Sequence, residues 1–253
     1  MKYIRKGQEP QSLKDWKDLE NEDWKPAYRD LTDPQKRDLR DSLFREQGYI
    51  CCYCMTRIKD RRSTHIEHLR PQRWYSDLQL DYQNLLASCR AGEGEDRQGS
   101  SSPDEAGSGA SDQCREEAHA SSTSEPESRS SAEHCGFKKG DWYDDSLMVS
   151  PLNDSCEEFF TYGAATGKIK PVNDPAISPA AEETIRRLGL NSDRLIRLRR
   201  QALIDHLPQD EEPSRSEISQ LIEGYGQTDA NGMFVPFCAA IVNVLCQYLP
   251  EGL

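Results

Sequence analysis

The chain has 253 residues, room for one large domain or two small ones, but only 35% of its side chains are apolar while 30% are charged, which speaks against a single tight globule over the full length. Its formal net charge of −12 at pH 7 argues against a nucleic-acid partner only if that charge is spread evenly. The longest apolar stretch, Phe234 to Leu249, is broken by Pro236, Asn243 and Gln247 and is short for a membrane span. The opening Met1-Lys-Tyr-Ile-Arg-Lys has no apolar core of the kind a secretory signal needs, so a soluble, cytoplasmic protein is expected.

Residues 1–33 are polar, with Trp16, Trp24 and Tyr28 as aromatic anchors for an arm lying on the body. A helix should follow, capped by Thr32 or Asp33, with Pro34 in its first turn, Leu39, Leu43 and Phe44 on one face, and Gly48 at its end. Met55–Lys59 and Ser63–His68 read as the arms of a short hairpin turning at Asp60-Arg61-Arg62, and Asp81–Ser88 as the start of a helix burying Leu85 and Leu86. Residues 91–133 contain no Val, Ile, Leu, Met, Phe, Tyr or Trp, but 11 Ser and 5 Gly. Such a segment buries too little apolar surface to offset the entropy of ordering it, and a disordered insertion is expected. It also holds 11 acidic and 3 basic side chains, a net of −8, which leaves −4 for everything else. Beyond it, Glu158–Tyr162 and Gly167–Val172 alternate like a hairpin. Ile185, Leu188, Leu195, Ile196, Leu198, Leu203 and Ile204 recur at helical spacing, and Ser216–Tyr225 and Phe234–Tyr248 suggest two more helices. The last of these is core in preference to interface.

Nine cysteines in a reducing compartment point to metal more than to disulfides. Cys51 and Cys54 have the spacing at which one tight turn delivers two thiolates to one ion. Cys89 and Cys135 lie 46 positions apart, but with 91–133 taken out they become the second half of a knuckle, because loop closure grows costlier only slowly with length. Zinc is the expected ion, with His134 as the rival fourth ligand. Cys156, Cys238 and Cys246 read as core, Cys52 has the wrong spacing, and Cys114 falls in the insertion.

Inside the cysteine frame stands His65-Ile66-Glu67-His68-Leu69-Arg70-Pro71-Gln72, followed 16 residues after His68 by Asn84-Leu85-Leu86. With Cys51-x-x-Cys54 and Cys135-Gly-Phe-Lys138, these motifs resemble, in order, those of the HNH or ββα-metal nucleases. A neutral imidazole takes a proton near pH 7, and His68 is the candidate base. Glu67 and His68 are adjacent, so a straight strand would point them to opposite faces; a strand ending there, as Pro71 suggests, relieves this. By resemblance, Glu67 and Asn84 bind the catalytic Mg²⁺ or Mn²⁺, where many members carry Asp in place of Glu67. His65 either supports these ligands or is one, and Asn84 could instead pin the loop. Arg57, Lys59, Arg61, Arg62, Arg70, Arg73, Lys138 and Lys139 form a basic surface around the motif, with Trp74 and Tyr75, suited to phosphate contact.

The likeness extends to Met1-Lys-Tyr-Ile-Arg-Lys, Cys51-Cys-Tyr-Cys54, Asp81-Tyr-x-Asn-Leu-Leu-x-Ser-Cys89, His134-Cys-Gly-x-Lys-Lys-Gly140 and Glu182-Glu-Thr-Ile-Arg-Arg-Leu-Gly-Leu-Asn191. In these the chain resembles the HNH effectors of Septu-type and retron-associated bacterial anti-phage systems. That resemblance implies an ABC/SMC-like ATPase partner, in some systems a reverse transcriptase with its RNA–DNA product, and DNA ahead of RNA or tRNA as the target; no membrane is implied. The expected fold class is α+β. An N-terminal arm and helix would occupy 1–48, a zinc-knuckle ββα-metal core 49–145, interrupted by 91–133, and a mainly helical, partner-docking region 146–253.

Overall fold

The structure, a computed structural model, describes residues 1–61, 63–90, 133–208 and 213–249. The insertion expected at 91–133 therefore lies outside the described residues except for Glu133, as do Arg62 and Cys114. Among the described residues there are seven α-helices and two small antiparallel sheets, a mixed architecture compatible with α+β.

The arm carries helix α1, Gln11–Lys17, which buries Leu13 and packs on α2, Gln35–Glu46. Trp16 meets Trp24 edge-on at 5.4 Å. In α2 the apolar face is the expected one, with Leu39, Leu43 and Phe44 buried, but its start differs. Pro34 is itself the cap, and Thr32 contributes its carbonyl to Lys36 N (2.9 Å) rather than its hydroxyl. The Asp33 carboxylate is drawn outward to Arg61 at 2.9 Å. After α2 comes Gly48 at φ +57°, where an added Cβ would lie 2.3 Å from the Phe234 ring. Both the left-handed backbone and the close approach require glycine there.

The expected hairpin of 55–59 with 63–68 does not form. Ile50 and Arg57 make an isolated bridge around a tight turn, with Met55 at φ +64°. Strand β1, Thr64–His68, pairs instead with β2, Leu85–Cys89, in antiparallel register from Thr64↔Cys89 to His68↔Leu85. The segment read as a helix start is thus a 3-10 turn, Tyr82–Asn84, leading into a strand. All five residues of β2 are buried, so it shows no alternation, and a short unbroken apolar run has no diagnostic period. Its outer edge is covered by Gln47, whose amide accepts from Ala87 N (2.7 Å) and donates to Ala87 O (2.8 Å) and Ile50 O (2.9 Å). Gln47→Ala strands that buried N–H, and the urea unfolding midpoint should fall by the equivalent of about 1–3 kcal/mol.

Helix α3, Cys135–Lys139, packs on β2. Strands β3, Phe160–Tyr162, and β4, Ile169–Pro171, form the second hairpin, shorter than expected because Cys156–Phe159 winds into a 3-10 turn. Helices α4, Ser178–Arg187, α5, Asp193–His206, α6, Arg215–Gly226, and α7, Cys238–Cys246, complete the chain. Helix α7 packs on α5, α6 and β3. It begins later than the apolar run because Phe234 N and Phe237 N donate to Gly48 O (3.0 Å) and Met55 O (3.1 Å), which holds 234–237 against the cysteine turn. Cys246 faces outward, against the core placement expected of it, and Ile204, in the helical pattern, is 49% exposed. The buried residues form one cluster from Ile4 and Leu13 to Leu245. Among the described residues no helix is long and apolar enough to cross a membrane.

Candidate active site and metal centre

The turn after α2 sets up the metal centre. Met55 N returns to Cys51 O (3.1 Å) and Cys51 N to Thr56 O (2.9 Å), which turns Cys51 and Cys54 toward one point. Cys89 arrives at the end of β2, and its N–H donates to Cys51 Sγ at 3.3 Å. Cys135 opens α3 at φ +57°, anchored through its N–H to Leu188 O at 2.8 Å. The four sulfurs lie within 4.8 Å of one another and all four residues are buried. Four thiolates 2.3 Å from one tetrahedral ion would stand ~3.8 Å apart, so this cluster can hold a metal such as zinc. Burial raises the Cys51 pKa, but hydrogen bonds from Cys135, Cys52, Cys54 and Cys89 outweigh it and hold Cys51 well below an ordinary thiol. Burial pushes Cys135 well up. His134 does not complete the set; its Nδ1 stands beside it, 3.3 Å from Cys135 Sγ and 3.7 Å from Cys89 Sγ.

β1 presents the candidate catalytic residues to a cleft of about 410 Å³, lined by His65, Glu67, His68, Gln72, Gly136 and Phe137 among others. Glu67 is buried. Its Oε1 pairs with Lys139 Nζ (2.9 Å) and accepts from Tyr53 OH (3.2 Å), and its Oε2 faces His65 Nε2 at 3.1 Å. Burial raises the Glu67 pKa, yet the hydrogen bond with His65 and the Lys139 charge prevail and hold it below the usual carboxylate value. The carboxyl is ionised.

His68 ends β1, so it lines the same cleft as Glu67 despite their adjacency. Its Nε2 lies 3.0 Å from Gln79 O and its Nδ1 3.1 Å from Gln72 Nε2. A carbonyl only accepts and an amide nitrogen only donates, so Nε2 carries the hydrogen and Nδ1 the lone pair. Burial lowers the His68 pKa and keeps the ring neutral. Tyr28 meets the ring edge-on at 4.6 Å.

Asn84 does not join this group. Its Oδ1 accepts from Arg70 N (2.8 Å), and its Nδ2 donates to Arg70 O (3.0 Å) and Leu78 O (3.2 Å). It lines a separate cleft with Asp81 and Tyr143, where it pins the loop after β1. In this cleft the groups that could offer an ion a donor are Glu67 Oε2 and His65 Nε2, which stand 3.1 Å apart, and not the expected pair of Glu67 and Asn84. Gly136 leaves them room, since a Cβ there would lie 2.3 Å from Glu67 Oε2 and 2.4 Å from His65 Nε2. One carboxylate oxygen and one imidazole suit Mn²⁺ better than Mg²⁺, which prefers oxygen alone.

The basic surface divides. Lys139 is 3% exposed, with its ammonium on Glu67 and His68 O (3.0 Å), so it is a buried counter-ion and not the surface phosphate contact expected. Arg57 is also inward, donating to the Gly48, Tyr49 and Phe234 carbonyls. Arg70 lies over Tyr75 and Tyr143 and pairs with Asp145 (2.9 Å). Arg73 lies over Trp74 and pairs with Asp141 (3.3 Å). Lys138, Trp74 and Phe137 are exposed, and Phe137 meets His65 edge-on at 4.9 Å. The motif reading did not single out Tyr53, Tyr28 or Gly136, or the place of Gln72 on His68 Nδ1. Gln72, Tyr53 and Gly136 lie inside the quoted motifs and Tyr28 was named only as an anchor of the arm, but residue type alone did not give their places around Glu67 and His68. Lys139→Met leaves a buried carboxylate facing a methyl group, and the urea midpoint should fall by about 3–5 kcal/mol. Double substitution with Glu67→Gln should recover most of that loss.

A scan of family models gave no match to this chain, nor did a comparison with curated proteins.

Proposed function

We propose that the chain is a metal-dependent HNH-type phosphodiesterase, its four cysteines holding a structural Zn²⁺. The observation that carries this reading is the placement, in one cleft with Glu67 and His65, of the His68 ring. Its hydrogen is pledged to Gln79 O and its lone pair is on Nδ1, beside an ionised Glu67 in one open cleft. His68 Nδ1 takes the proton of a water as that water attacks phosphorus; one ester P–O bond breaks, and the leaving oxygen takes a proton from solvent. Gln72, on the same nitrogen, swings aside or orients the water. Glu67 and His65 would hold a divalent ion, and such an ion would supply charge neutralisation at the phosphate and leaving oxygen. Lys139 fixes the Glu67 carboxylate, and Asn84 fixes the loop behind His68. Arg70, Arg73 and Lys138 offer phosphate contacts on the rim.

The resemblance extends the proposal to a cytoplasmic effector of a bacterial anti-phage complex with an ABC/SMC-like ATPase, and in some systems a reverse transcriptase and its RNA–DNA product. DNA is the proposed target. A second reading, a zinc-stabilised nucleic-acid-binding or adaptor subunit that does not cleave alone, draws on the Lys139–Glu67 pair, which already occupies one carboxylate oxygen. The experiment is supercoiled-plasmid nicking and tRNA cleavage by the zinc-loaded chain with Mn²⁺ or Mg²⁺, alone and with such an ATPase. Nicking, stronger in Mn²⁺, supports the nuclease on DNA; tRNA fragments move the target to RNA. Nucleic-acid binding with no cleavage in any mixture overturns the enzyme in favour of the adaptor.

A further inference from the structure

Three aromatic side chains are exposed among the described residues, Trp74 at 65%, Phe137 at 51% and Tyr248 at 47%. Exposed apolar side chains scattered singly are ordinary, but two of these three border the cleft of His68. Phe137 lines it. Trp74 stands two residues after Gln72, which also lines it, in a turn closed by Trp74 N on Pro71 O at 3.1 Å. Each ring is steadied by a neighbour. His65 meets Phe137 at 4.9 Å with the ring planes 72° apart, and the Arg73 guanidinium lies over Trp74 at 4.8 Å. The surface left exposed on each is aromatic and lies at the mouth of the cleft.

The charges on this rim do not by themselves select one form of nucleic acid. Arg73 pairs with Asp141 at 3.3 Å and Arg70 with Asp145 at 2.9 Å, and Asp141 itself lines the cleft. Lys138 is exposed beside Phe137. A phosphate chain gains little net attraction from charges already balanced. The rings offer a different contact. Every nucleobase has an aromatic face, and stacking on a side-chain ring is tolerant of its identity. In a duplex those faces are taken by the neighbouring base pairs, whereas a base in a single strand, a loop or an end is free to turn out. We propose that Phe137 and Trp74 stack unpaired nucleobases next to a phosphodiester seated in the His68 cleft, so that the chain takes unpaired strands ahead of duplex. The proposal rests on the reading of that cleft as the seat of a phosphodiester and adds the class of strand.

The test is binding of a labelled oligothymidylate to the zinc-loaded full chain, followed by fluorescence anisotropy. No cleavage ion is added, so the result does not depend on whether the chain cuts. The comparisons are an abasic strand of the same length, with the same phosphates and no bases, and a relaxed closed-circular duplex. The oligothymidylate should bind about 5- to 100-fold tighter than the abasic strand for each base stacked, and the duplex should not compete for it. Phe137→Ala and Trp74→Ala should each weaken the oligothymidylate by a factor in roughly that range and leave the abasic strand unchanged. Tyr248→Ala, at an exposed ring that does not line the cleft, should change neither. Oligouridylate separates the two sources of unpaired bases: tighter binding of one strand assigns the platform to RNA or to DNA, and equal binding assigns it to both. Binding of the abasic strand as tight as that of the oligothymidylate overturns the platform, as does equal competition by the duplex or no binding of any strand. An equal loss on both strands in the two variants marks a structural role and overturns it as well. Plasmid nicking without base-dependent binding overturns the platform and keeps the nuclease; base-dependent binding without cleavage keeps the platform and overturns the nuclease.

Discussion

Cys51→Ser, or stripping the ion with a strong chelator, is expected to abolish cooperative unfolding of the chain. The four sulfurs join three separate pieces of backbone: the turn at Cys51 and Cys54, the end of β2 at Cys89 and the start of α3 at Cys135. Structural zinc contributes roughly 10–16 kcal/mol in small zinc domains, against a whole-domain stability of about 5–15 kcal/mol. Losing it leaves four buried sulfurs with no ion to join the three pieces. The measurements are zinc content by mass spectrometry and thermal unfolding followed by circular dichroism. Cys246→Ser, at an exposed thiol, should change neither. A Cys51→Ser protein that keeps one equivalent of zinc and its unfolding midpoint would show that the cluster is ordinary buried thiols.

His68→Ala should lower plasmid cleavage by about 10²–10⁴-fold, the usual worth of a positioned general base, while nucleic-acid binding and zinc content stay as they were. The ring is held from three sides, by Gln79 O, Gln72 and Tyr28, so its removal empties a defined place without unpairing a charge. Because the lone pair is on Nδ1, His68→Gln, which keeps the bulk and polarity but supplies no basic nitrogen, should be as inactive as Ala. Cleavage within about threefold of the parent in both variants would remove His68 from the chemistry altogether, since it lies far outside that range.

Much of the candidate site was legible from residue types at fixed spacing. The grouping of Cys51 and Cys54 with Cys89 and Cys135 followed from chemistry that needs four soft ligands, once Cys89 and Cys135 were brought together across 91–133. The frame of His65, Glu67 and His68 was legible in the same way, and so were the apolar face of α2 and, at Leu195 and Leu203, that of α5, because a helix repeats its burial every three to four residues; the buried Ala181 and Thr184 of α4 were not. Three things were decided only by the tertiary structure. The partner of β1 is β2 and not the nearer segment, because a strand buried on both faces carries no periodic signal and its pairing is settled by a contact distant in sequence. Asn84 turns to the Arg70 backbone and away from the cleft of Glu67 and His65, because the loop it sits on needs its amide. Lys139 lies inward on Glu67 while its neighbour Lys138 stays in solvent, because one turn of α3 brings a single lysine over the only carboxylate of β1. Residue types and spacings determined which side chains stand in the cysteine cluster and the His68 cleft; the direction each polar group faces was set by which buried partner it had to satisfy.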